Sequence, residues 1–533
     1  MKNNSLIKIL DCTLRDGGYV NNWEFSLEST KAIITALIDS NIEIVECGFV
    51  SQKNGNGVNS TLFKDLSQVN ELLGSLNRNI KNTDFCVMIN KGDYDLSTLP
   101  NYNEKEEIVN MIRYAFHQKD WQDALNDIRI IIEKGYKVYV QGMVTLSYSD
   151  STILQMIDET NKLDVYAMYI VDSFGAMFGD DFRRLHYLFE NNLKQGIRLG
   201  YHSHNNLQLA YSNAINFIQT KNIDREIIID SSIHGMGRGA GNLTTELLAD
   251  YLNKKKHTDY NIIPLLETID KYIEAIYREN YWGYSIAHFL SASFGCHPNY
   301  SSFLVNKKNL SIVDIQKILS LLDDVEKKNF NKDRIKELYI NFKSNDGLPT
   351  NFNIDFFKNQ NILIIAPGPN LIKQKETVEK FINTNKPIVI AVNHIPKNLK
   401  INYFFFSNQK RYEKFIDHIE PEKVIITNNI RDKNNVKKYK VVDYNSLATK
   451  TTNKNDNVTI LLLNLLIEQK IKEVNLAGFD GYKFDSENYS YKEYDRVVEK
   501  KVMQQQNMNI KISLKEIQQQ LSINFITKSV FNI

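Results

Sequence analysis

The stretch DCTLRDGGY, residues 11–19, decides the fold, because an acid, a base and two glycines follow directly on the apolar segment 7–10. Polar residues of this kind are typical of the point where a short buried strand ends. Eight such strand-length segments occupy the first 231 residues: 7–11, 42–48, 84–89, 111–116, 137–143, 165–172, 197–202 and 226–231. Several precede a helix-like segment, as at 121–135 and 151–163. Eight β-then-α units in about 250 residues predict an α/β fold of the TIM-barrel type, with an open doubly wound sheet as the structural alternative.

The strand pattern gives way to helical periodicity after residue 244. Gly347 and Pro349 then break regular structure, and ILIIAPGPN, residues 362–370, begins a second series of strands. We therefore predict an N-terminal (β/α)8 TIM barrel over 1–250, a helical extension over 251–345, a linker over 346–360 and a C-terminal Rossmann-like α/β domain over 361–533.

Composition excludes several classes of protein. Among 533 residues, 65 Lys and Arg balance 63 Asp and Glu, so the net charge of +2 gives no drive toward nucleic acid. The four cysteines form no CxxC pair, which indicates a reducing compartment rather than a disulfide scaffold. The longest apolar run, 458–467, is too short to span a bilayer, and no signal peptide is visible. We expect a cytoplasmic protein without a membrane span.

The ends of the predicted barrel strands carry unusual polar residues. His202 and His204 are two residues apart on one strand, so they share a face and could hold one divalent cation. Asp16, at another strand end, would add an oxygen ligand. Such a set with open positions suits Mn²⁺, Mg²⁺, Fe²⁺ or Zn²⁺, and a 2-oxo acid could occupy the open positions. Arg15 is either a structural ion-pair partner or a cation that stabilises an enolate beside the metal.

Three motifs in this order resemble the DRE-TIM metallolyase superfamily: DCTLRDGG at 11–18, HSHNN at 202–206 and GMGRGAGN at 235–242. This superfamily includes 4-hydroxy-2-oxovalerate aldolase, HMG-CoA lyase, isopropylmalate synthase and the carboxyltransferase domain of pyruvate carboxylase. The resemblance covers roughly residues 5–305 and implies a metal-dependent barrel that acts on C–C bonds through an enolate.

The resemblance also implies roles for particular residues. Asp16, His202 and His204 match the metal ligands, Asn242 matches an asparagine that completes the metal shell in some members, and Arg15 matches the enolate-stabilising arginine. The stretch YSSF, residues 300–303, looks like a segment of the oxovalerate aldolases whose tyrosine reaches the active site, which makes Tyr300 a candidate catalytic residue.

The sequence departs from the family at the acid/base position, where Tyr19 replaces a histidine of the oxovalerate aldolases. Tyrosine is a poor base unless its pKa is lowered, so Glu46, His297 and a metal-bound water are alternatives. His297 and Asp172 are also candidate substrate contacts, although Asp172 could instead serve as a hydrogen-bonding residue of the barrel mouth. The loop 235–242 has no cysteine, which disfavours the chemistry of HMG-CoA lyase.

The C-terminal domain carries a second candidate site. The turn containing Gly368 and Asn370 could present backbone N–H groups to a phosphate, or could be a plain structural turn. Asn408, Arg411 and Asp480 follow other strands and would lie along the same edge of the sheet. This arrangement resembles a Rossmann-like domain of bacterial surface-glycan proteins, with sialyltransferase-like and pterin pyrophosphokinase-like relatives. The resemblance implies a nucleotide or nucleotide sugar as ligand.

These observations favour a divalent-metal aldolase or lyase that acts on a 2-oxo acid, with pyruvate and an aldehyde as its substrates. Mn²⁺ or Mg²⁺ is the expected ion, with Zn²⁺, Fe²⁺ and Co²⁺ as alternatives. The fused domain suggests a role in surface-polysaccharide sugar synthesis, and the family suggests a homodimer. Three alternatives remain open: an acyl-CoA-dependent condensing enzyme like isopropylmalate synthase, a C-terminal glycosyl- or nucleotidyl-transferase with the barrel as scaffold, and a regulatory protein that senses an oxo acid.

Overall fold

The computed structural model describes residues 6–532, except 57–58, 77–79, 81, 223, 308, 346–347, 354, 432–437, 454, 484–487 and 491–499. The chain forms two compact units, Met1–Ser302 with Asp324–Phe330, and Phe303–Asp323 with Asn331–Ile533. The predicted helical extension 251–345 is therefore divided between the two units. Of the predicted linker 346–360, residues 346, 347 and 354 lie outside the described part of the chain.

The first unit contains a closed parallel barrel. Eight of its strands follow one another around the barrel, and β1 pairs with both β9 and β2, which closes it. The very short strand β3 pairs with β2 outside this ring. The predicted TIM barrel is confirmed, and each of the eight predicted segments overlaps one barrel strand. The strands are β1 Ile7–Asp11, β2 Ile44–Val50, β3 Leu62–Phe63, β4 Asp84–Asn90, β5 Met111–Phe116, β6 Lys137–Gly142, β7 Ala167–Asp172, β8 Arg198–Ser203 and β9 Ile227–Ser231.

Helices cover the outside of the barrel. Two of them have a serine N-cap: the side chains of Ser26 and Ser149 each accept a hydrogen bond from a backbone N–H in the first turn. Gly135 has a φ of 91°, the left-handed conformation that favours glycine, two residues after α4 ends. The helices are α1 Gly18–Asn21, α2 Leu27–Asp39, α3 Leu66–Gly74, α4 Trp121–Glu133, α5 Asp150–Thr160, α6 Gly179–Asn192, α7 Ala210–Thr220 and α8 Thr245–Lys256.

Two apolar layers stabilise the barrel because side chains alternate along each strand. One set faces the helices, as Ile9, Val45 and Ile229 do. The other set fills the interior and includes Leu10, Met111 and the aromatic pair Tyr139 and Tyr169, whose ring centroids are 5.9 Å apart. The interior is therefore packed, and polar chemistry is confined to the carboxyl ends of the strands and to a few buried charges.

Between residues 263 and 345, the regular elements of the described chain are helices joined by short loops. Residues 263–279 include a π-helical turn, Ile269–Ile273, between two α-helices. Residues 320–323 separate two of these helices, because α13 ends at Leu319 and α14 begins at Asp324. The helices are α9 Ile263–Thr268, α10 Glu274–Glu279, α11 Ile286–Ser293, α12 Pro298–Asn306, α13 Ile312–Leu319, α14 Asp324–Lys328 and α15 Lys332–Asn345.

The second unit contains a seven-stranded, entirely parallel sheet in the order β14-β13-β12-β11-β10-β15-β16. Strands β11 to β14 follow one another on one side of β10. Strands β15 and β16 then extend the sheet on the other side of β10. The α/β class of this domain is confirmed, although β14 and β16 were missing from the sequence prediction. The strands are β10 Ile362–Ile365, β11 Ile388–Val392, β12 Tyr403–Phe406, β13 Val424–Thr427, β14 Lys440–Val442, β15 Glu473–Ala477 and β16 Ser522–Phe525.

The helices that follow β10 in this unit pack on a sheet whose strands β10 and β13 are buried at every position, as in other all-parallel sheets. They are α16 Asn370–Lys373, α17 Lys375–Asn385, α18 Gln409–Phe415, α19 Tyr444–Thr449, α20 Val458–Glu468 and α21 Lys500–Ile517. Helix α20 is rich in leucine, and its residues 459–466 are buried. It corresponds to the apolar run that the sequence shows at 458–467. Among the helices that the structure describes, none is long and apolar enough to cross a membrane.

Candidate active site

Three side chains predicted to bind metal converge at the barrel mouth. Asp16 follows β1, and His202 and His204 lie at the end of β8. One potential ligand atom from each of the three lies within 4.8 Å of the other two. All three residues are almost completely buried, with at most 4% of their surface exposed. Two imidazoles and one carboxylate at this spacing fit a divalent cation.

Asp230 fixes the orientation of His202. The Nδ1 atom of His202 lies 2.9 Å from the Oδ2 atom of Asp230, so the ring donates its Nδ1 hydrogen to the carboxylate. This tautomer leaves the Nε2 lone pair available as a metal ligand, which is the usual arrangement behind a metal-binding histidine.

Buried polar atoms without a hydrogen-bond partner provide a further test of the candidate metal site. His204 Nδ1 and Asn242 Oδ1 have no hydrogen-bond partner among the described residues, although both residues are at least 96% buried. Asn242 donates from Nδ2 to Asp16 Oδ2 at 2.9 Å, which directs its amide toward the same point. Because buried polar atoms normally have partners, these two fit a site built for a cation.

The protonation states of the site also suit a cation. Burial lowers the pKa of His204 to about 3, so the ring is neutral and can act as a ligand. Burial alone would raise the pKa of Asp16, but His204, Arg15 and His202 outweigh it and lower that pKa below its usual range. Gly237 leaves room for this arrangement, because a Cβ atom there would lie 2.4 Å from Asn242 Nδ2 and 2.7 Å from Asp16 Oδ2.

Arg15 lies beside the metal ligands and is held by two carboxylates. Its Nη1 atom donates to Asp16 Oδ1 at 2.6 Å, and its Nε atom donates to Glu46 Oε2 at 2.9 Å. Burial opposes the charge, but Glu46 and Asp16 raise the pKa of Arg15, so the guanidinium stays protonated. Its remaining nitrogen, Nη2, is buried without a hydrogen-bond partner in the described structure. One strong donor is therefore left for a ligand.

Arg113 was missing from the sequence prediction. It lies inside β5, is completely buried, and donates to both Glu46 and Asp230. A charged residue in the middle of an apolar strand was the signal that could have identified it, because buried charges occur where they are paired.

A cavity of about 430 Å³ opens at the barrel mouth. Arg238 connects this cavity with the potential metal ligands, because its backbone N–H donates to Asp16 Oδ2 at 3.3 Å and the residue also lines the cavity. The other polar side chains of the cavity include Tyr19, His117, His297 and Lys328. In the sequence analysis, Arg238 was only one residue of the glycine-rich loop. Its position between the potential metal ligands and the cavity is seen only in the structure.

Tyr19 and His297, two residues predicted from the sequence, both line this cavity. Loss of hydration raises the pKa of Tyr19, against the lowering effect of Arg238, so the hydroxyl keeps its proton and is a donor rather than a base. Burial lowers the pKa of His297 to about 3. Its Nδ1 atom accepts a hydrogen bond from the Asn299 N–H at 3.2 Å, so the hydrogen of the neutral ring resides on Nε2.

The structure places three other predicted residues away from the cavity. Glu46 is enclosed by two arginines, which makes it a positioning residue and not a free base. Asp172 accepts hydrogen bonds from the N–H groups of Ala176 and Met177, so it holds the turn after β7. The Tyr300 hydroxyl lies 2.7 Å from the Asn329 carbonyl oxygen, behind the loop that lines the cavity, which corrects the expectation that it reaches the site.

The C-terminal candidate residues have mixed outcomes. Gly368, Asn408, Arg411 and Asp480 line a separate cavity of that unit. Asn370 does not line it, because its backbone N–H donates to Asp480 and its side chain to the Lys528 carbonyl oxygen. The turn does not present free N–H groups to a phosphate, as one of the two predictions expected. The N–H groups of Ala366, Gly368 and Asn370 all donate within the protein.

Comparison with known proteins agrees with the site geometry. Residues 104–271 match the HMGL-like family. The 4-hydroxy-2-oxovalerate aldolase of Bacillus thuringiensis is 26% identical over 274 residues, which cover 50% of this chain and 76% of that relative. The enzyme of the same name from Geobacillus thermodenitrificans is 28% identical over 273 residues, which cover 49% and 75%. The N-terminal barrel is a DRE-TIM metallolyase barrel. The DRE-TIM barrel belongs to a metal-dependent lyase or aldolase.

The solved structures similar to this chain include the N-terminal domain of a candidate aldolase from Bacteroides vulgatus. It is 27% identical, with a TM-score of 0.49, and the match covers 56% of this chain and 96% of that domain.

Proposed function

We propose that the DRE-TIM barrel makes or breaks a C–C bond next to the carbonyl of a 2-oxo acid, with pyruvate as the simplest substrate. The observation that carries this proposal is the position of Arg15. Its Nη1 atom bonds Asp16, one of the three potential metal ligands, while its Nη2 atom has no partner among the described residues. A cation and a charged donor would thus act on the same carbonyl oxygen.

Asp16, His202 and His204 would hold the divalent ion, with Asn242 Oδ1 directed at the same point. The ion would polarise the carbonyl of the oxo acid as a Lewis acid. Arg15 would stabilise the negative charge that develops on the carbonyl oxygen when the neighbouring carbon loses a proton. A fixed, dry donor contributes strongly to this stabilisation because it needs no reorganisation.

The mouth cavity supplies groups for proton transfer. Burial lowers the pKa of His117, so this imidazole is neutral and able to accept a proton at neutral pH. Tyr19 remains protonated and can donate to the oxygen of an aldehyde as the new bond forms. His297 presents a neutral ring with its hydrogen on Nε2, which suits it to orienting a carbonyl oxygen. We propose that the aldehyde occupies this cavity.

Several finer expectations stay predictions: the role in surface-polysaccharide synthesis, the homodimer, the choice of Mn²⁺ or Mg²⁺, and the nucleotide ligand. The buried set of Arg15, Asp16, His202 and His204 is intact, which weighs against a barrel that serves only as a scaffold.

The proposal is tested by incubating the protein with pyruvate, Mn²⁺ and a panel of aldehydes, and by following new C–C bonds with ¹³C NMR. We expect an aldol product that requires the metal and disappears in His204→Ala. The exposed His418→Ala is the matched control and should keep full activity. A product that forms without metal, or at the same rate in His204→Ala, would contradict the proposal.

A further inference from the structure

The C-terminal unit contains its own cavity, of about 230 Å³. It opens at the carboxyl ends of β10, β11, β12 and β15, where Gly368, Asn393, Asn408 and Asp480 line it. Strands β11 to β14 lie on one side of β10 and strand β15 lies on the other. The cavity is therefore at the switch point of the sheet, where open α/β sheets bind ligands.

Asp480 is the polar group that this cavity leaves incompletely bonded. Only 6% of the residue is exposed. Its Oδ2 atom accepts a hydrogen bond from the Asn370 N–H at 2.6 Å, whereas Oδ1 is buried without a partner in the described part of the chain. Because an unbonded buried carboxylate oxygen is costly, Oδ1 is suited to accept a hydrogen bond from a ligand.

Packing fixes Asp480 in this position. Gly368 donates its N–H to the Gly478 carbonyl oxygen at 2.7 Å, and a Cβ atom at Gly368 would lie 2.6 Å from the carboxyl carbon of Asp480. Only glycine lets the two turns approach this closely. The carboxylate of Asp480 is thus held in place by backbone contacts from both turns.

The turn beside Asp480 disfavours a phosphate as the main anchor. The turn 366–370 contains two prolines without N–H groups, and its three N–H groups donate to Ala477, Gly478 and Asp480. The cation Lys307 is already paired, because its Nζ atom lies 2.9 Å from Asp456 Oδ1. The turn therefore lacks the cradle of free N–H groups that phosphates use at helix N-termini.

Aromatic rings form another part of the wall. Phe479 packs against Phe531 with ring centroids 5.2 Å apart, and the Arg411 guanidinium lies over the Tyr489 ring at 5.6 Å. These residues all line the cavity. A cavity that combines apolar faces with one fixed acceptor suits a flat or cyclic ligand that carries hydrogen-bond donors.

We propose that this cavity binds the hydroxyl-bearing ring of a sugar or a nucleoside, with Asp480 Oδ1 accepting a hydrogen bond from a ring hydroxyl. Free sugars and nucleosides share this chemistry. The inference concerns the C-terminal unit and stands independently of the reaction proposed for the barrel.

Ligand-observed saturation-transfer NMR on the full chain tests this proposal, because it detects binding in the millimolar range. The observed probes are glucose, uridine and UDP-glucose, and inorganic pyrophosphate, which has no carbon-bound hydrogen, is added as a competitor. We expect saturation of glucose or uridine signals and of UDP-glucose signals, and the free sugar and the nucleoside show which ring is recognised. Pyrophosphate should neither bind at this cavity nor displace the other probes.

Asp480→Asn keeps an acceptor for the Asn370 N–H but removes the charge, so binding should weaken about tenfold or more. Asp417→Asn, an exposed acid of the same unit, is the matched control and should bind normally. Circular dichroism and barrel activity show whether Asp480→Asn is folded. Absence of binding by every hydroxyl-bearing probe, displacement by pyrophosphate, or unchanged affinity in folded Asp480→Asn would overturn the proposal.

Discussion

Arg15 and Arg113 donate to the same carboxylate oxygen, Oε2 of Glu46, at 2.9 and 2.6 Å. Arg113 also bonds Asp230, which in turn orients His202. A chain of buried charges therefore joins the arginine proposed to stabilise the enolate with a proposed metal ligand. The two groups proposed to act on the substrate are positioned by one network, so a change inside the barrel should affect both.

Glu46→Gln should destabilise the barrel strongly. The substitution leaves two buried guanidinium groups with one fewer negative charge, and removal of one partner from a buried ion pair costs about 3 to 5 kcal/mol. Urea unfolding followed by circular dichroism measures this loss. Glu279→Gln, at an exposed position, should change the free energy of unfolding little. Equal stability of the two variants would show that Glu46 does not bind the network together.

Asp230→Asn should weaken metal binding about 10- to 100-fold, because His202, a proposed metal ligand, loses the carboxylate that fixes its tautomer. Isothermal titration of the folded variant with Mn²⁺ measures the change. Asp224→Asn, on an exposed loop, provides the matched control. An unchanged dissociation constant in folded Asp230→Asn would rule out this orienting role.

Tyr19→Phe should separate two proton transfers. The aldol reaction should slow about a hundredfold, since general acid catalysis contributes on this scale, whereas proton exchange of pyruvate alone should persist. Both rates are measured by NMR on the same preparation. Tyr281→Phe, which removes a hydroxyl from an exposed ring, should leave both rates unchanged. Loss of pyruvate exchange in Tyr19→Phe would instead assign the tyrosine to the first proton transfer.

Glu246 predicts a specific pH dependence of stability. Burial raises its pKa from 4.5 to about 7, so between these values the folded state binds the proton more tightly than the unfolded state. The free energy of unfolding therefore falls as pH rises through this window and levels off above it. Glu246→Gln avoids this loss and should be more stabilising, relative to the parent, at pH 8 than at pH 5. Urea unfolding at both pH values measures the difference, and an equal difference would contradict the prediction.

The barrel could be predicted because each of its strands is a continuous apolar segment followed by polar or turn residues. Strand β14 has only three residues, and β16 alternates between exposed and half-buried positions, so neither has a clear sequence pattern. The short β3 is missing for the same reason. The helical region was predicted as one element of the chain, but its residues pack with two different units, and local periodicity carries no information on that choice.

His202 and His204 could be proposed as metal ligands from the sequence because they lie two residues apart at a strand end. The partners that orient them could not. Arg113 and Asp230 are 117 positions apart and meet only when the barrel closes. At the turn containing Gly368, the sequence suggested N–H groups that are free to bind a phosphate. In the structure these groups donate to residues 477–480, more than a hundred positions away, which the local sequence does not reveal.

Solvent deuterium exchange into the methyl group of pyruvate tests enolate formation at the barrel most directly. The purified protein with Mn²⁺ should exchange these protons, and exchange should stop when the metal is removed by a chelator. Arg15→Lys keeps a charge but loses the free Nη2 donor, so exchange should slow about a hundredfold, while the exposed Arg129→Lys should match the parent. Exchange that is absent in the parent, or equally fast in Arg15→Lys, would contradict the account.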